Sequence, residues 1–423
     1  MWTKLVSNGS EACLPHLQKQ RVRELLSLRS GGPISTGAET TKSCVTGNLQ
    51  RPARHPPRAG RVVRLDLPYT QYVVRKPLLF LTFLCLPVAA QNSASFRFAV
   101  SGDSRNCGDI VMPAIAAGVL ENQAQFYWHL GDFRAIYTFD EDLVPPATLR
   151  LTTKPLNIIE YETGAWPDFI AHQLAPFGTL PVFLSPGNHE TIPPSTRDAY
   201  LQQFADWLAT PAIRAQRLRD DPADHLLRTY YHWIDHGIDF IALDNASRDQ
   251  FDAAQLKWVH AVIARDESDS EVRAIVVGMH AALPGSAGFA HSMSDSPQGE
   301  QSGRDLYRAL LHAQEVSKKH VYVLASHSHF YMEDVYRTDV WKGHVLPGWI
   351  VGTAGAVRYR LPAGTTPGPK AMTDVYGYLT GAAAEDGTID FTFHRLDYEE
   401  ILRRDEGRHP EALIRWCYDH NKQ

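Results

Sequence analysis

Short apolar runs alternate from Phe96 onward with stretches of helical spacing and with polar, glycine-containing loops. Runs of strand length that are rich in β-branched and aromatic residues predict β-strands, and longer stretches with apolar residues three or four apart predict helices. The segment FRFAVSG predicts a strand that ends at a turn, and DIVMPAIAAGVL predicts the helix that follows it. Further strands are predicted in AQFYWHL, LPVFLSPGN, DFIALDN, RAIVVGMH, HVYVLASHSH and GWIVGTAGA. This alternation indicates an α/β sheet protein.

Three long insertions separate these predicted strands. Residues 138–175 and 192–229 combine proline-rich loops with helical pieces such as RDAYLQQFADWLA. Residues 281–303 form a loop rich in Gly, Ser and Pro directly after His280. Because long loops in a compact domain are usually functional or disordered, we expect these three to form walls and a lid over a pocket. Disorder is the alternative for the last one.

The charge is spread unevenly along the chain. The 423 residues are 44% hydrophobic, which is enough for a large core, and the length alone allows one to three domains. The formal net charge is −5, but residues 1–76 carry +9 and residues 77–423 carry −14. A body this acidic argues against general nucleic-acid binding. Nothing in the pattern specifies an oligomeric state.

A secretory signal is predicted at residues 73–90. Arg75 and Lys76 precede an apolar run, and Val88-Ala89-Ala90 forms a small-residue cleavage site before Gln91. The run is too short to span a bilayer easily, so membrane attachment is expected only if the segment stays uncleaved. The mature body is then 91–423, and we expect it to be secreted or periplasmic. Residues 1–72 are interpreted as a non-native upstream extension, or alternatively as a disordered basic tail.

The cysteines that bear on the mature body are Cys107 and Cys417, since the other three lie within the first 90 residues. An export signal permits a disulfide between these two, but their wide separation in sequence does not favour one. Two free, buried thiols are the expectation.

Polar residues stand where the predicted strands end. Hard and borderline divalent cations are bound by carboxylate and amide oxygens and by imidazole nitrogens, and a two-metal site needs a ligand shared between the ions. Each single match is weak, but the ordered set, with each member after a strand, indicates a metal site. Its members are Asp103, Asp132, Asn188, His189, His280, His327 and His329.

The segments SGDSR, HLGDF, PGNHE, VGMH and ASHSH together resemble the pattern of the calcineurin-like metallophosphoesterase superfamily, which is D-x-H, G-D, G-N-H-[DE], a lone His, and G-H-x-H. Within that superfamily, YYHWIDHGIDFIALDN, FDAAQLKWV and GWIVGTAGA are similar to segments of the purple-acid-phosphatase-like branch. The resemblance covers roughly Phe96 to Leu396. It implies a four-layer αββα sandwich with two central mixed β-sheets and a dinuclear site at the carboxyl ends of the strands.

The resemblance also implies a role for each residue of the set. Two divalent or trivalent ions (Fe, Mn or Zn) are expected, with a single tightly bound ion as the alternative. Asp132 would bridge the ions, and His189 would be a general acid or a donor to a phosphate oxygen. The remaining ligands would divide between the two ions, with Asn188, His280 and His327 on one and Asp103 and His329 on the other.

The chain departs from the family pattern beside Asp103. Where the family has D-x-H, this chain has Asp103-Ser104-Arg105, and a guanidinium cannot ligate a cation. The tyrosine that the purple branch places three residues after the G-D aspartate is Ala135 here, and Tyr137 could replace it only if the loop bulges. The Asp103 half is therefore expected to be weak, filled by water or Asp109, or empty.

Arg105 is interpreted as a bidentate phosphate clamp, a task that its planar fork suits. The alternative is a salt bridge to Asp109 or to a carboxylate of a loop. Ser326 replaces the usual Gly of G-H-x-H, which is a milder change. Outside the set, His129 is expected to be a satisfied core histidine, and His291 is expected to be a surface residue.

The expected reaction is hydrolysis of a small phosphate ester, most simply a monoester. A water acidified by the ions would attack phosphorus in line with the leaving alkoxide, which His189 would protonate. Two alternatives stay open. The first is a phosphodiesterase that acts on nucleotides or on lipid or cell-wall diesters, and the second is a degenerate protein that binds phosphate or metal without turnover.

Overall fold

The computed structural model describes residues 96–142, 157–246, 250–288 and 291–423. The predicted upstream extension at 1–72 and the predicted signal at 73–90 lie outside the described residues. Both stay predictions.

Five strands form one sheet: β1 (Phe96–Ser101), β2 (Tyr127–His129), β3 (Val182–Leu184), β11 (Tyr376–Ala383) and β12 (Ile389–Leu396). Their order across the sheet is β12-β11-β1-β2-β3. The strands β1, β2 and β3 are parallel, whereas β11 is antiparallel to both of its neighbours. The carboxyl ends of three successive strands therefore meet at one edge.

Seven strands form the other sheet: β4 (Tyr231–Asp235), β5 (Ile238–Ala242), β6 (Ala274–Gly278), β7 (His320–Ala325), β8 (Tyr331–Glu333), β9 (Gly348–Val351) and β10 (Ala371–Met372). Their order is β10-β8-β9-β7-β6-β5-β4. The strands β5, β6, β7 and β9 are parallel, while β4 and β8 pair antiparallel with their neighbours. Each strand predicted from the apolar runs is present in one of the two sheets.

The helices are α1 (Gly108–Glu121), α2 (Ile158–Phe169), α3 (Arg197–Gln203), α4 (Ala205–Leu208), α5 (Pro211–Asp220), α6 (Ala253–Ser268), α7 (Pro297–Glu315), α8 (Tyr398–Asp405) and α9 (Glu411–His420). Six of them begin behind a side chain that accepts a hydrogen bond from a backbone N–H of the first turn. These caps are Asn157, Thr196, Thr210, Asp252, Ser296 and Asp397.

The two sheets pack face to face through aromatic side chains. Phe98 and Phe126 of the first sheet contact Phe240 of the second at centroid distances of 5.1 Å, and Phe183 stacks on Trp233 at 3.9 Å. Helix α1 packs on the first sheet and on α8, and helix α7 packs on the second sheet and on α6. The four-layer αββα sandwich with two central mixed sheets, which the resemblance implied, is confirmed.

A disulfide joins Cys107 to Cys417 across a sequence separation of 310 residues. The expectation of two free thiols is wrong, because packing places the C-terminal helix α9 next to the residue that precedes α1. Both cysteines are buried, at 0% and 1% exposure. The bond anchors the loop between β1 and α1, which carries the predicted site residues Asp103 and Arg105.

In their described residues, the first two insertions contain helices α2 to α5, in agreement with the predicted helical pieces, while residues 143–156 and 289–290 lie outside the described residues. The segment predicted as a lid loop over 281–303 is shorter, because α7 already begins at Pro297. Ser296 caps this helix and proline is favoured in the first turn, so the local sequence starts a helix where we expected a loop. Among the described residues, no helix is long and apolar enough to cross a bilayer.

Candidate metal centre

Loops at the carboxyl ends of parallel strands bring the predicted ligands to one place. The contributing strands are β1, β2 and β3 of one sheet and β6 and β7 of the other. The side chains that they carry are, in this order, Asp103, Asp132, Asn188, His280, and the pair His327 and His329. All six are buried or half-buried.

Four donor atoms converge around one point. His280 Nε2 lies 3.0 Å from Asn188 Oδ1, 3.0 Å from His327 Nδ1 and 3.4 Å from Asp132 Oδ1. Donors about 2.1 Å from a common ion lie about 3.0 to 3.4 Å from one another in octahedral or tetrahedral geometry. The spacing of these four atoms fits a divalent cation.

The histidine tautomers are fixed by backbone carbonyls. His280 Nδ1 donates to Leu130 O at 2.9 Å, and His329 Nδ1 donates to Val357 O at 2.7 Å. In each ring the Nε2 lone pair therefore faces the centre, which is the arrangement that a metal-ligating histidine needs.

The second half of the centre contains Asp103, Asp132 and His329. One potential ligand atom of each lies within 4.8 Å of those of the other two. His329 Nε2 is 3.2 Å from Asp103 Oδ1. Arg105 also enters this half, since its Nη2 lies 3.5 Å from His329 Nε2 and its Nε lies 3.7 Å from Asp132 Oδ2.

Two carboxylate oxygens are left without directed partners. Within the described part of the chain, neither Asp103 Oδ1 nor Asp132 Oδ2 receives a hydrogen bond, although both are buried. The approach of His329 to Asp103 Oδ1 is thus an electrostatic contact without hydrogen-bond geometry. A buried charged oxygen without a partner is unfavourable unless a cation compensates it. The donor set and the unpaired oxygens together fit a metal centre.

The electrostatics also favour positive charge at this point. Burial lowers the pKa of His280, but the carboxylates of Asp132 and Asp103 outweigh burial and raise it to about 10. Burial raises the pKa of Asp132, yet His189 and His280 hold it well below the usual range. Burial and the neighbouring His280 lower the pKa of His327 to about 3, so that ring is neutral and free to ligate.

The backbone is strained where the ligands are presented. Asp103, Asp132 and His327 have φ of 59°, 60° and 65°, in the left-handed region that side chains other than Gly rarely adopt. Strain of this kind concentrates at functional sites. Gly187 allows the close approach, since a Cβ there would lie 2.2 Å from Asp132 Oδ1.

Glu190 joins two of these loops, and the sequence reasoning gave it no role. Its Oε2 accepts hydrogen bonds from the backbone N of Asp132 and of Gly187, both at 2.8 Å, and its Oε1 accepts from Phe133 N at 2.9 Å. Burial and the nearby Asp132 raise the pKa of Glu190 to about 8. The acidic residue that closes PGNHE was the signal that could have identified it.

His189 lies beside the ligands with one nitrogen turned toward Asp132. Its Nδ1 donates to Ala135 O at 2.8 Å, and its Nε2 lies 3.7 Å from Asp132 Oδ2 and 3.5 Å from the hydroxyl of Tyr137. Burial lowers the pKa of His189. Tyr137 stacks on this ring at 4.9 Å, so it contacts His189 rather than replacing the tyrosine that is missing at Ala135.

Two rings at the rim were not predicted. Tyr359 stacks on His329 with centroids 4.1 Å apart, and His291 lies 5.3 Å from Tyr359 and 5.4 Å from His327. His291 is therefore next to the centre rather than a plain surface residue. Tyr359 follows GWIVGTAGA by only a few residues, but no pattern marked it.

Ser326, which replaces the family glycine, forms a hydrogen bond with a predicted ligand. Ser326 Oγ donates to Asp103 Oδ2, and His327 N donates to the same oxygen at 2.7 Å. Gly102 makes room for the hydroxyl, since a Cβ there would lie 2.2 Å from Ser326 Oγ. His129 is buried in the core as expected, yet it is incompletely satisfied: Nδ1 accepts from Gly131 N, while Nε2 has no partner among the described residues.

A second buried cluster lies beside the centre, around Arg134. Its guanidinium contacts four carboxylates, from Asp109, Asp140, Asp142 and Asp168. Asp109 is thus paired with Arg134 and not with Arg105, as one alternative had it. Asp109, Asp168 and His172 also have the spacing of metal ligands, but Arg134 already supplies the cation there.

Comparison with known families gives one match. The model of the calcineurin-like phosphoesterase family matches residues 96–331, more than half of the chain. Comparison with curated proteins gives no match.

Several solved structures are similar. A purple acid phosphatase, PPD1, from seeds of yellow lupin (Lupinus luteus) is 16% identical, with a TM-score of 0.44; the match covers 73% of this chain and 55% of the lupin chain. A dimetal phosphatase from Danio rerio is 12% identical, with a TM-score of 0.44 and coverage of 72% and 100%. GAP50, the anchor in the inner membrane complex of Plasmodium, is 13% identical, with a TM-score of 0.41 and coverage of 75% and 96%.

Proposed function

The chain belongs to the calcineurin-like phosphoesterase family and is a metallophosphoesterase, and from this premise we propose that it is an exported hydrolase of small phosphate monoesters. One observation carries the assignment of the site. Asn188 Oδ1, His327 Nδ1 and Asp132 Oδ1 surround His280 Nε2 at 3.0 to 3.4 Å, next to a buried carboxylate oxygen without a partner.

Asp132, Asn188, His280 and His327 would hold a divalent ion in this proposal. An ion bound there supplies an acidified water and offsets charge on the phosphoryl oxygens. The residues of the chain fix this arrangement in advance. Glu190 ties the loop of Asp132 to the loop of Asn188, and Leu130 O holds the ring of His280 in the ligating tautomer.

His189 is proposed as the general acid. Because Nδ1–H donates its hydrogen bond to Ala135 O, Nε2 is the atom that can carry a proton toward the leaving oxygen. This nitrogen lies 3.7 Å from Asp132 Oδ2, so a proton at Nε2 is on the side of the ligands proposed for the ion. Tyr137 stacks on the ring and limits its rotation. Proton transfer from a positioned side chain contributes about 100- to 10,000-fold in rate.

Arg105 supports the preference for monoesters. Its Nε is buried and has no hydrogen-bond partner among the residues that the structure describes, so the guanidinium can still donate to a phosphoryl oxygen. A monoester carries two negative charges near neutral pH, and it gains more than a diester from an ion and a guanidinium side by side. A phosphodiesterase is the alternative, and its reaction would depend less on the positive charge of Arg105.

Export is supported by the disulfide. Bonds of this kind persist in oxidising compartments and are rare where thiols are kept reduced. The Cys107–Cys417 bond agrees with the signal predicted at residues 73–90. Sequencing the N-terminus of the mature protein tests this part: a first residue near Gln91 is expected, and a chain retaining residues 2–64 would contradict it.

The activity is tested with aryl phosphates in the presence of Mn, Zn or Fe. Release from phenyl phosphate should exceed release from bis(4-nitrophenyl) phosphate, and the reverse order would favour the diesterase. His189→Ala should lose more activity with phenyl phosphate than with 4-nitrophenyl phosphate, because a better leaving group depends less on an acid. His260→Ala is the matched control, since the His260 side chain is 39% exposed and its contact at 2.8 Å is with Asp305, which is not part of the centre. Equal losses on both substrates would remove His189 from the acid role.

A further inference from the structure

The half of the centre formed by Asp103, Asp132 and His329 already contains a cation. Arg105 reaches it from the loop after β1, two residues beyond Asp103 in sequence. Its Nη2 lies 3.5 Å from His329 Nε2, and its Nε lies 3.7 Å from Asp132 Oδ2. The guanidinium therefore lies against two of the three groups that a second ion would need.

The ligating atom of His329 is engaged by this contact. His329 Nδ1 donates to Val357 O, which leaves Nε2 as the acceptor, and that lone pair faces Arg105 Nη2. A guanidinium stays protonated in proteins and offers no lone pair, so it cannot join a coordination shell. An ion in this half would meet a fixed positive charge, and it would compete with Arg105 Nη2 for the lone pair of His329 Nε2.

The loop that carries Arg105 has little freedom to withdraw it. Arg105 N donates to Asp132 O at 3.3 Å, and Cys107 N donates to Arg105 O at 3.0 Å and to Gly355 O at 3.1 Å. Cys107 is itself held by the disulfide to Cys417. The Arg105 side chain is only 17% exposed. The ring of Tyr359 stacks on His329 with centroids 4.1 Å apart, which limits movement of that imidazole.

We propose that this chain has a mononuclear centre, in which one divalent ion is held by Asp132, Asn188, His280 and His327 and the Arg105 guanidinium takes the place of a second ion. The inference rests on the proposed function, since both concern the same site. Arg105 offsets the charge of Asp103 and Asp132 permanently and presents its donors to the phosphoryl oxygens. With one metal ion and the Arg105 guanidinium, two positive charges then face the phosphoryl group.

Metal content tests this directly, without any measurement of turnover. Wild-type protein is loaded with Mn, freed of loose metal by gel filtration and analysed for metal per chain. One ion per chain is expected, and Asp132→Asn should hold none. In Arg105→His an imidazole replaces the guanidinium, so two ions per chain are expected. Arg337→His is the matched control because Arg337 is 75% exposed, and it should keep one ion.

A second measurement needs no variant. Two Mn ions that share a ligand lie about 3.5 to 4 Å apart and are magnetically coupled. The electron paramagnetic resonance spectrum of Mn-loaded wild type should therefore be that of isolated Mn(II). A coupled spectrum, or two ions per chain in wild type, overturns the inference while leaving the phosphatase assignment standing. Wild type without bound metal and without phosphate release overturns both.

Binding of inorganic phosphate tests the role of the guanidinium. With one equivalent of Mn, Arg105→Met should raise the inhibition constant of phosphate about 10- to 100-fold, because a charge-assisted donor is removed. Arg105→Lys keeps the charge without the planar fork and should fall between wild type and Arg105→Met. An unchanged constant in Arg105→Met would contradict a contact between Arg105 and the phosphoryl group.

Discussion

Two clusters of aspartates lie near each other around the segments that follow β1 and β2, and their carboxyl groups have different partners. In the metal centre, Asp103 Oδ1 and Asp132 Oδ2 receive no hydrogen bond from the described residues. In the second cluster, which we name the Arg134 cage after its central residue and its four aspartates, Arg134 lies within 3.4 Å of each carboxylate.

Aspartate side chains therefore lie in two different environments within one part of the fold. The Arg134 cage is closed by the chain itself: Tyr161 donates to Asp140 at 2.7 Å, and backbone N–H groups of Asn106 and Asp109 donate to Asp140 and Asp142 at 2.7 and 2.9 Å. In the metal centre, Asp103 Oδ1 and Asp132 Oδ2 lack such donors among the described residues, and the nearest guanidinium atom that contacts Asp132 Oδ2, Arg105 Nε, is 3.7 Å away. Carboxylate content alone does not identify a metal site; the available partners decide.

The largest difference is expected from Asp132→Asn. The amide cannot supply the negative charge that would hold the ion, so phosphate release should fall by about 1000-fold or more, which corresponds to several kcal/mol of lost charge stabilisation. Urea unfolding of the metal-free variant should still give a cooperative transition, which separates a loss of activity from a loss of the fold. Asp305→Asn, on the exposed surface, is the matched control. Full activity in Asp132→Asn would place the reaction elsewhere.

In the Arg134 cage the expected effect is on stability. Arg134→Met removes the cation from four aspartate side chains, three of them buried, and breaking a buried ion pair on one side costs about 3 to 5 kcal/mol. Urea unfolding measures this loss. Arg403→Met is the comparison, since Arg403 is 64% exposed and should change the free energy by less than about 0.5 kcal/mol. A stable Arg134→Met protein would show that the cage does not depend on the guanidinium.

Removing metal should separate the two clusters further. Chelation should lower the free energy of unfolding of wild type by about 2.7 kcal/mol relative to protein in metal at 100 times its dissociation constant. Asp132→Asn should show no such loss, because it has no ion to release. Arg134→Met, where it folds, should still respond to the chelator. A chelator effect that is equal in wild type and Asp132→Asn would mean that the stabilising ion is bound elsewhere.

The smallest effect is expected from Asp142→Asn in the Arg134 cage. Burial and the neighbouring Asp109 raise the pKa of Asp142 well above its usual range, despite Arg134. The folded state therefore binds this proton more tightly than the unfolded chain, so its contribution is complete below about pH 4, the ordinary aspartate range, and is lost as pH rises through the raised pKa.

An asparagine resembles the protonated acid, so Asp142→Asn should cost less than about 1 kcal/mol near neutral pH. Relative to wild type, the variant should gain stability as pH rises. Urea midpoints measured across pH 5 to 8 check this sign. If the variant instead becomes less stable relative to wild type as pH rises, Asp142 is ionised in the cage.

Much of the site could be predicted because its residues lie at strand ends. The run RAIVVGMH predicted both β6 and the position of His280, and HVYVLASHSH did the same for β7 with His327 and His329. Apolar runs predict the strands, and the residues that follow each run lie at the carboxyl end of its strand. The candidate ligands could therefore be ordered along the sheet edges before any contact was known.

Other features depend on contacts between distant segments. Arg105 has equal chances in sequence of meeting Asp109 or the centre, and the outcome is decided by Arg134, which takes Asp109 for itself. Glu190 was visible in PGNHE, but its bonds to the loop of Asp132 were not. The helix at Pro297 followed a cap that we read as part of a loop.

By itself, the sequence determined the strands, the polar residue that follows each strand and the types of ligand that these residues offer. These features depend on local periodicity and on the residue that ends each apolar run. Only the tertiary structure decided which charges meet. The pairing of Cys107 with Cys417, the closure of the Arg134 cage and the entry of Arg105 beside His329 all join segments from different loops. Such contacts are set by the packing of two sheets and their covering helices, which no single segment encodes.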